Sequence, residues 1–381
     1  MKKKFAFFYV WSNSPFKPSV EQMLVEAFPE FDIEPIGIGK MLKERIDLMA
    51  LNELAVGRYY GLDILREKKK HSEYFFATPF LFHQVRRMVI DRLKAKSGEY
   101  AFTFQLQSLF DTSLPGIPNF VYTDRTNLAN LAYPEFDPHN LYAPAWIELE
   151  KNIYKNASLV FTWSNYICRS LIADYHCQLE KAVCVYAASN THAREGIIAP
   201  ARYSKKNILF VGVDWERKGG PDLVKAFQLV LQRCPDATLT IVGSSPKIDL
   251  PQVQVLGHLP LANMPPYYEQ ASIFCLPTKN EAFGMVFIEA MENSLPIVAT
   301  NLGAIPDFVI EGENGHLVVP GDIQAIANAL LDLLTNPARC QSFGEKGREL
   351  YLERYNWNNI GRLIRENVLN ILENNSLINA S

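Results

Sequence analysis

The stretch that most constrains this chain is IFCLPTKNEAFGMVFIEAMENSLPIVAT, residues 273–300. It opens on a wholly apolar run, 273–276, closed by Pro277, which reads as a buried strand. A polar turn follows at 278–281, and residues 286–291 are then apolar at helical spacing, ending near Asn293. Residues 296–299 read as the next strand. A strand, a glycine turn and a helix make a cradle for an anion, because the first helical amides have no internal partner and the helix dipole favours negative charge there. Gly284 lets a ligand come close to the backbone, since it has no Cβ. Glu281 stands just before the helix and Glu289 inside it. Carboxylates do not bind phosphate; they accept hydrogen bonds from hydroxyl groups. An anion flanked on both sides by hydroxyl-rich groups describes a nucleotide sugar.

The run EAFGMVFIEAM, residues 281–291, resembles the E-x7-E signature of the family-four retaining glycosyltransferases. That resemblance implies the GT-B fold: two Rossmann-like doubly wound α/β domains facing a cleft, with a C-terminal helix crossing back to the first domain. It further implies that Glu281 contacts the donor sugar and Glu289 the ribose. The amides of Gly284, Met285 and Val286 would meet the sugar and diphosphate. Taken without the family, the same residues also describe an ordinary strand–helix corner with a capping Glu281 and a solvated Glu289.

A chain of 381 residues fits two domains better than one core. With 48% hydrophobic residues and a net charge of −3, it reads as globular and not as a nucleic-acid binder, which needs a basic surface. The six cysteines show no C-x-x-C and no zinc spacing, and several lie in apolar runs, which suits a reducing cytoplasm. The opening MKKKFAFFYVW imitates a leader but has too short an apolar run, and it reads as a first strand. No run reaches the roughly 20 apolar residues of a membrane helix.

Strands and helices alternate along the first half, which indicates a parallel sheet covered by helices. In such sheets ligands sit beyond the carboxyl ends of strands, so residues 12–19 are a candidate site loop, with Lys17 as a weak phosphate or acceptor contact. Residues 62–96 are rich in lysine and arginine. Residues 84–96 have the spacing of a helix with bases on one side, a face that suits anionic lipid and equally suits an ordinary surface helix. The strand at 119–124 ends in Asp124, placed to orient or deprotonate an acceptor hydroxyl or to cap the following turn. Tyr133 and the aromatics up to Trp146 suit a sugar face and core packing equally well. Periodicity is lost over 190–206, the expected linker. The expected division is 1–195 for an acceptor-side domain, 204–352 for a donor domain and 353–381 for a helix returning to the first.

The second domain opens with a strand at 207–211 and the turn GVDWERKGG, 212–220. A glycine turn carrying Arg217 and Lys218 ahead of a helix is a second anion site, suited to a departing diphosphate whose charge grows as the sugar–oxygen bond breaks. The family pattern has a lysine at Lys218. It usually has an arginine directly after Gly212, where this chain has Val213, and Arg217 stands in for it. The segment around Gly257 and His258 resembles the one that holds the nucleobase. The resemblance is specific over 208–322; the first half matches only in layout.

These residues lead to a metal-independent retaining hexosyltransferase that uses a nucleoside diphosphate sugar. The acceptor would be a glycan, a lipid-linked group or a small molecule. The protein would need no cofactor, and would be cytoplasmic or peripheral at the inner membrane face through 62–96. Two other classes stay open: another GT-B nucleotide-sugar enzyme such as an epimerase, and a nucleotide-sugar binder without turnover. Donor hydrolysis separates enzyme from binder, and product analysis separates transferase from epimerase.

Overall fold

A computed structural model describes residues 2–66, 68–189 and 200–380. The chain forms two compact units. The first takes the residues up to Ala132, Phe136–Tyr186 and the chain from Ile360 onward. The second takes Tyr133–Glu135 and Ala187–Asn359.

The first unit is built on a sheet of β1 (Lys4–Tyr9), β2 (Asp32–Gly37), β3 (Tyr100–Leu106), β4 (Asn119–Thr123), β5 (Leu159–Thr162) and β6 (Ala182–Cys184). All neighbours pair in parallel, in the order β2-β1-β3-β4-β5-β6. Phe5, Ala6, Phe7 and Phe8 are all fully buried, as a strand covered by helices on both faces requires. Phe5 stacks on Phe102 at 4.7 Å, and Phe120 on Phe161 at 6.1 Å, so aromatic side chains tie neighbouring strands together on one face.

The second unit holds β7 (Asn207–Val211), β8 (Thr238–Val242), β9 (Val253–Gly257), β10 (Ile273–Leu276), β11 (Ile297–Thr300) and β12 (Gly315–Val318). The order β12-β11-β10-β7-β8-β9 is the doubly wound dinucleotide-type order, again all parallel. The chain lays down β7, β8 and β9 outward on one side and then returns to put β10 on the other side of β7. Between β7 and β10 the connections diverge, the switch point at which such sheets form a crevice beyond their carboxyl ends.

The helix Pro79–Lys94 starts earlier than the spacing predicts, because Pro79 sits in its first turn and the Thr78 hydroxyl accepts from Leu81 N at 3.1 Å. Its apolar residues Leu81, Phe82, Val85, Val89 and Leu93 are in the core, and Arg87, Arg92 and Lys94 face outward. The helix Ile46–Leu65 gave no clean sequence signal, since it is apolar on most sides and shows no polar stripe. Of the expected linker, 190–199 lies outside the described residues, and Pro200–Ser204 is a 3-10 turn. The last helix, Trp357–Ala380, belongs to the first unit from Ile360 on. There Arg365 donates to Ala27 O at 2.6 Å and pairs with Glu30 at 2.8 Å.

Candidate functional site

Two turns leave the crevice of the second unit, residues 212–219 after β7 and 277–284 after β10. They are stitched together by backbone and side chain. Lys279 N donates to Arg217 O at 2.8 Å, and Arg217 Nη1 donates to Asn280 O at 2.8 Å. Gly219 makes this approach possible: its φ is +73°, and a Cβ there would lie 1.9 Å from Pro277 O. With the turns so close, the Lys218 ammonium meets the Glu281 carboxylate in an ion pair, and their side chains are only 12% and 10% exposed. A pair this shielded has each charge dependent on the other, since either alone would be left poorly solvated.

Glu281 is held at its backbone as well. Tyr133 OH donates to Glu281 O at 2.5 Å, and Gly303 packs so tightly there that a Cβ would lie 2.7 Å from the same oxygen. Three residues on, Gly284 (φ +90°) caps the helix Met285–Glu292 with no side-chain acceptor, so the first amides of that helix are not answered by a cap. A Cβ at Gly284 would meet the Phe287 ring at 2.6 Å and Glu281 Cγ at 3.0 Å. The arrangement presents a shielded cation, a carboxylate and an uncapped helix start within one crevice. It is suited to an anion with polar groups attached.

The structure thus brings Lys218, Glu281, Gly284, Met285 and Val286 together. Gly212 is with them, its ideal Cβ position 3.0 Å from Lys218 Cγ, and its carbonyl accepts from the Ser244 hydroxyl. Arg217 is differently employed. Its guanidinium bonds Asp214 at 3.1 Å as well as Asn280 O, and so fastens the two turns. Glu289 lies in the helix with 5% exposure and accepts from Tyr268 OH at 2.6 Å. Burial pushes its carboxyl up to about 7, against the opposing effect of the Tyr268 hydrogen bond, and the nearby Glu292 raises it further. Gly257, with φ +68°, ends β9 and accepts from Gly243 N at 2.7 Å. Asp124 is in the first unit, where its Oδ1 is buried without a hydrogen-bond partner among the described residues and its Oδ2 lies 3.6 Å from Arg125 Nε. Lys17 pairs with Glu21 and sits 4.9 Å over the Tyr9 ring. Sequence reasoning missed Tyr268 and left Tyr133 undecided; neither residue type announces a hydrogen bond to a distant acid or carbonyl. Among the described residues, no group of three or more His, Cys, Asp or Glu could hold a metal ion.

A family model described as "Glycosyl transferases group 1" matches residues 205–336, the region that builds this crevice. Over these residues the second unit is similar to group 1 glycosyltransferases. Residues of this chain are 30% identical over 168 positions to a GDP-mannose-dependent alpha-(1-6)-phosphatidylinositol monomannoside mannosyltransferase of Mycolicibacterium smegmatis, covering 39% of this chain and 44% of that protein. They are 34% identical over 162 positions to a phosphatidyl-myo-inositol mannosyltransferase of Mycobacterium leprae, covering 40% and 43%. The chain therefore spans less than half of each of these relatives. Whole-chain similarity is structural. A sucrose-phosphate synthase of Thermosynechococcus elongatus matches with TM-score 0.66 at 18% identity over 100% of both chains. Anabaena HepE in complex with UDP and glucose matches with TM-score 0.62 at 15% identity over 96% of this chain and 99% of that one. The fold is GT-B, with two Rossmann-like units.

Two measurements test this account of the site. Gly219→Ala combines a positive φ with a backbone overlap and is expected to destabilise the protein by about 2–4 kcal/mol, read as a lower urea midpoint. Glu289 and Glu150 are both raised from 4.5 to about 7, chiefly by burial. As pH rises from 4.5 the unfolded chain gives up these protons first, so the stability the two groups contribute is lost between pH 4.5 and 7 and stays lost above. At ~1.4 kcal/mol per pH unit this is roughly 3 kcal/mol per group. Glu289→Gln is expected to remove its share of that fall, seen as a shallower decline of urea midpoint from pH 5 to 8.

Proposed function

We propose that the chain is a retaining glycosyltransferase that moves a hexosyl unit from a nucleoside diphosphate sugar to an acceptor hydroxyl. The observation that carries this is the shielded Lys218–Glu281 pair beside the uncapped helix start at Gly284. In this reading the diphosphate takes up the Lys218 ammonium and the amides of Met285 and Val286. As the bond from the anomeric carbon to the phosphate oxygen breaks, negative charge grows on that oxygen, and a preplaced cation in a poorly solvated crevice lowers its energy. Glu281, relieved of its lysine, accepts from sugar hydroxyls, and Glu289 accepts from the ribose. Arg217, reoriented from Asn280, adds a second cation. The cations serve the phosphates without a divalent ion. Asp124, with one carboxylate oxygen buried and without a partner among the described residues, is the acceptor-side group suited to taking a hydroxyl proton. The printed names of the mannosyltransferase relatives and of HepE with UDP and glucose support a nucleotide-sugar donor.

We also propose contact with anionic lipid, through the helix Ile46–Leu65 and not the helix Pro79–Lys94, whose apolar residues are in the core. Leu51, Leu54, Leu62 and Leu65 are 50%, 73%, 69% and 82% exposed and recur at helical spacing on one outward face. Arg58 lies among them, and Arg66, Lys68 and Lys70 follow. Leucines exposed beside bases fit an interface of apolar chains and acidic headgroups. No described helix is long and apolar enough to cross a membrane.

Slow hydrolysis of uridine, guanosine and adenosine diphosphate sugars tests the first proposal. One donor is expected to turn over, and Lys218→Ala and Glu281→Ala are each expected to lower kcat by about 10²–10³. Retained rates in both variants would remove it. For the second, Leu54→Glu with Leu62→Glu is expected to cut binding to vesicles containing phosphatidylserine at least tenfold, since each leucine contributes roughly 1.5–3 kcal/mol when buried. Unchanged co-sedimentation would locate the contact elsewhere.

A further inference from the structure

The first unit has its own crevice. Its sheet reverses direction of growth between β1 and β3, and the carboxyl ends of β1, β3 and β4 open onto a cavity of about 790 Å³. Trp11 follows β1 into it, Gln107 and Ser108 follow β3, and Arg125 follows β4. This volume is that of a small-molecule site.

Three features mark it as a built site. Gln107 has φ +70°, an unfavourable conformation for a residue with a Cβ. It is held there by its N–H to Tyr122 O at 2.8 Å and by Gln105 Nε2, which donates to its carbonyl at 2.8 Å. Trp146 is 2% exposed and lines the cavity, and its Nε1 donor is buried without an acceptor among the described residues. A buried donor of this kind calls for an acceptor atom from outside the protein. Trp11, 38% exposed and edge-on to Phe76 at 4.6 Å, adds an aromatic surface suited to the apolar face of a sugar ring.

The charge of the rim is one-sided. Lys68, Lys69, Lys70 and Arg125 line the cavity against only Glu73 and Glu150. Lys69 is fixed: its side chain is 7% exposed, its ammonium lies 4.7 Å over the Tyr74 ring, and Asp63 is 3.4 Å away. Lys68 and Lys70 are exposed, and Glu73 is 3.8 Å from Lys70. Glu150 is buried and accepts from Tyr154 OH at 3.0 Å and Asn127 N at 3.1 Å. Burial favours its proton, so near neutrality it carries less than a full negative charge against the positive rim.

We infer that this cavity binds the acceptor and that the acceptor is an anionic saccharide or polyol, its phosphate or carboxylate taken by Lys68, Lys70 and Arg125 while Trp11 and Trp146 cover and anchor its ring. The word acceptor rests on the transferase reading; the anion site does not. Arginine and lysine on phosphate or carboxylate make charge-assisted hydrogen bonds, stronger than the neutral contacts a plain sugar would make.

Calorimetric titration of the full chain tests it, with glucose, glucose 6-phosphate, glucuronate and monomeric dihexanoyl phosphatidic acid. Glucose 6-phosphate and glucuronate are expected to bind at least tenfold more tightly than glucose, less so as salt rises. Lys68→Gln with Lys70→Gln is expected to remove that advantage while leaving glucose unchanged, and Lys218→Gln in the second unit is expected to leave it intact. Tighter binding of the phosphatidic acid than of glucose 6-phosphate, lost in the same double variant, assigns the anion to a lipid headgroup; the reverse order assigns it to a soluble acceptor. Equal affinity for charged and neutral probes overturns the inference, as does loss of binding in Lys218→Gln with retention in the double variant. Should the wild-type chain hydrolyse no donor yet bind charged probes through Lys68 and Lys70, the transferase reading falls and the anion site stands.

Discussion

The ion pair between Lys218 and Glu281 is the constraint on which the second unit's site depends. The two residues are distant in sequence and meet because the strand order sets β7 beside β10 and a glycine lets the following turns touch. A lysine and a glutamate this shielded are poorly solvated, so each is held mainly by the other. That dependence keeps a cation and a carboxylate fixed in the crevice before any ligand arrives. Tyr133 and Gly303 brace the glutamate from its backbone side, which leaves the carboxylate little freedom except to exchange partners.

The two units apply one geometric device to two different chemistries. In each, a parallel sheet reverses its direction of growth and the strand ends part to make a crevice. In the second unit the crevice is furnished with backbone amides and an ion pair, which suit phosphates. In the first it is furnished with tryptophan, side-chain amides and a lysine rim, which suit a ring bearing hydroxyls and an acid group. Buried acids recur in both, Glu150 among tyrosines and Glu289 against Tyr268, and in both burial moves the carboxyl toward neutrality.

Much of this was legible in the chain. The short apolar runs separated by helical spacings give parallel, helix-covered sheets, and the run from Glu281 to Glu289 points to an anion cradle flanked by acids. Where the sequence was hard to read, the reasons are physical. The helix Ile46–Leu65 lacks a polar stripe because part of its outward face is leucine, so no periodic contrast marks it. The basic helix Pro79–Lys94 has the pattern expected of a lipid-binding face, yet that pattern is the same for a helix resting on a core, and here the core takes it. Charge alone points Arg217 at a phosphate, and only the folded chain shows that it also reaches Asp214 and Asn280 and so fastens the two turns.

The sequence by itself determined the class of fold and pointed to an anion site. Both follow from local properties: the spacing of apolar side chains, the turn geometry that only glycine tolerates, and the unanswered amides at a helix start. Only the tertiary structure decided that Tyr133 would join the second unit, that Glu281 would face Lys218, and that Glu289 would be buried enough to raise its carboxyl to about 7. Those outcomes depend on which strands become neighbours and on how much water is excluded around each charge. Strand order and desolvation belong to the assembled fold, and no stretch of residues carries them alone.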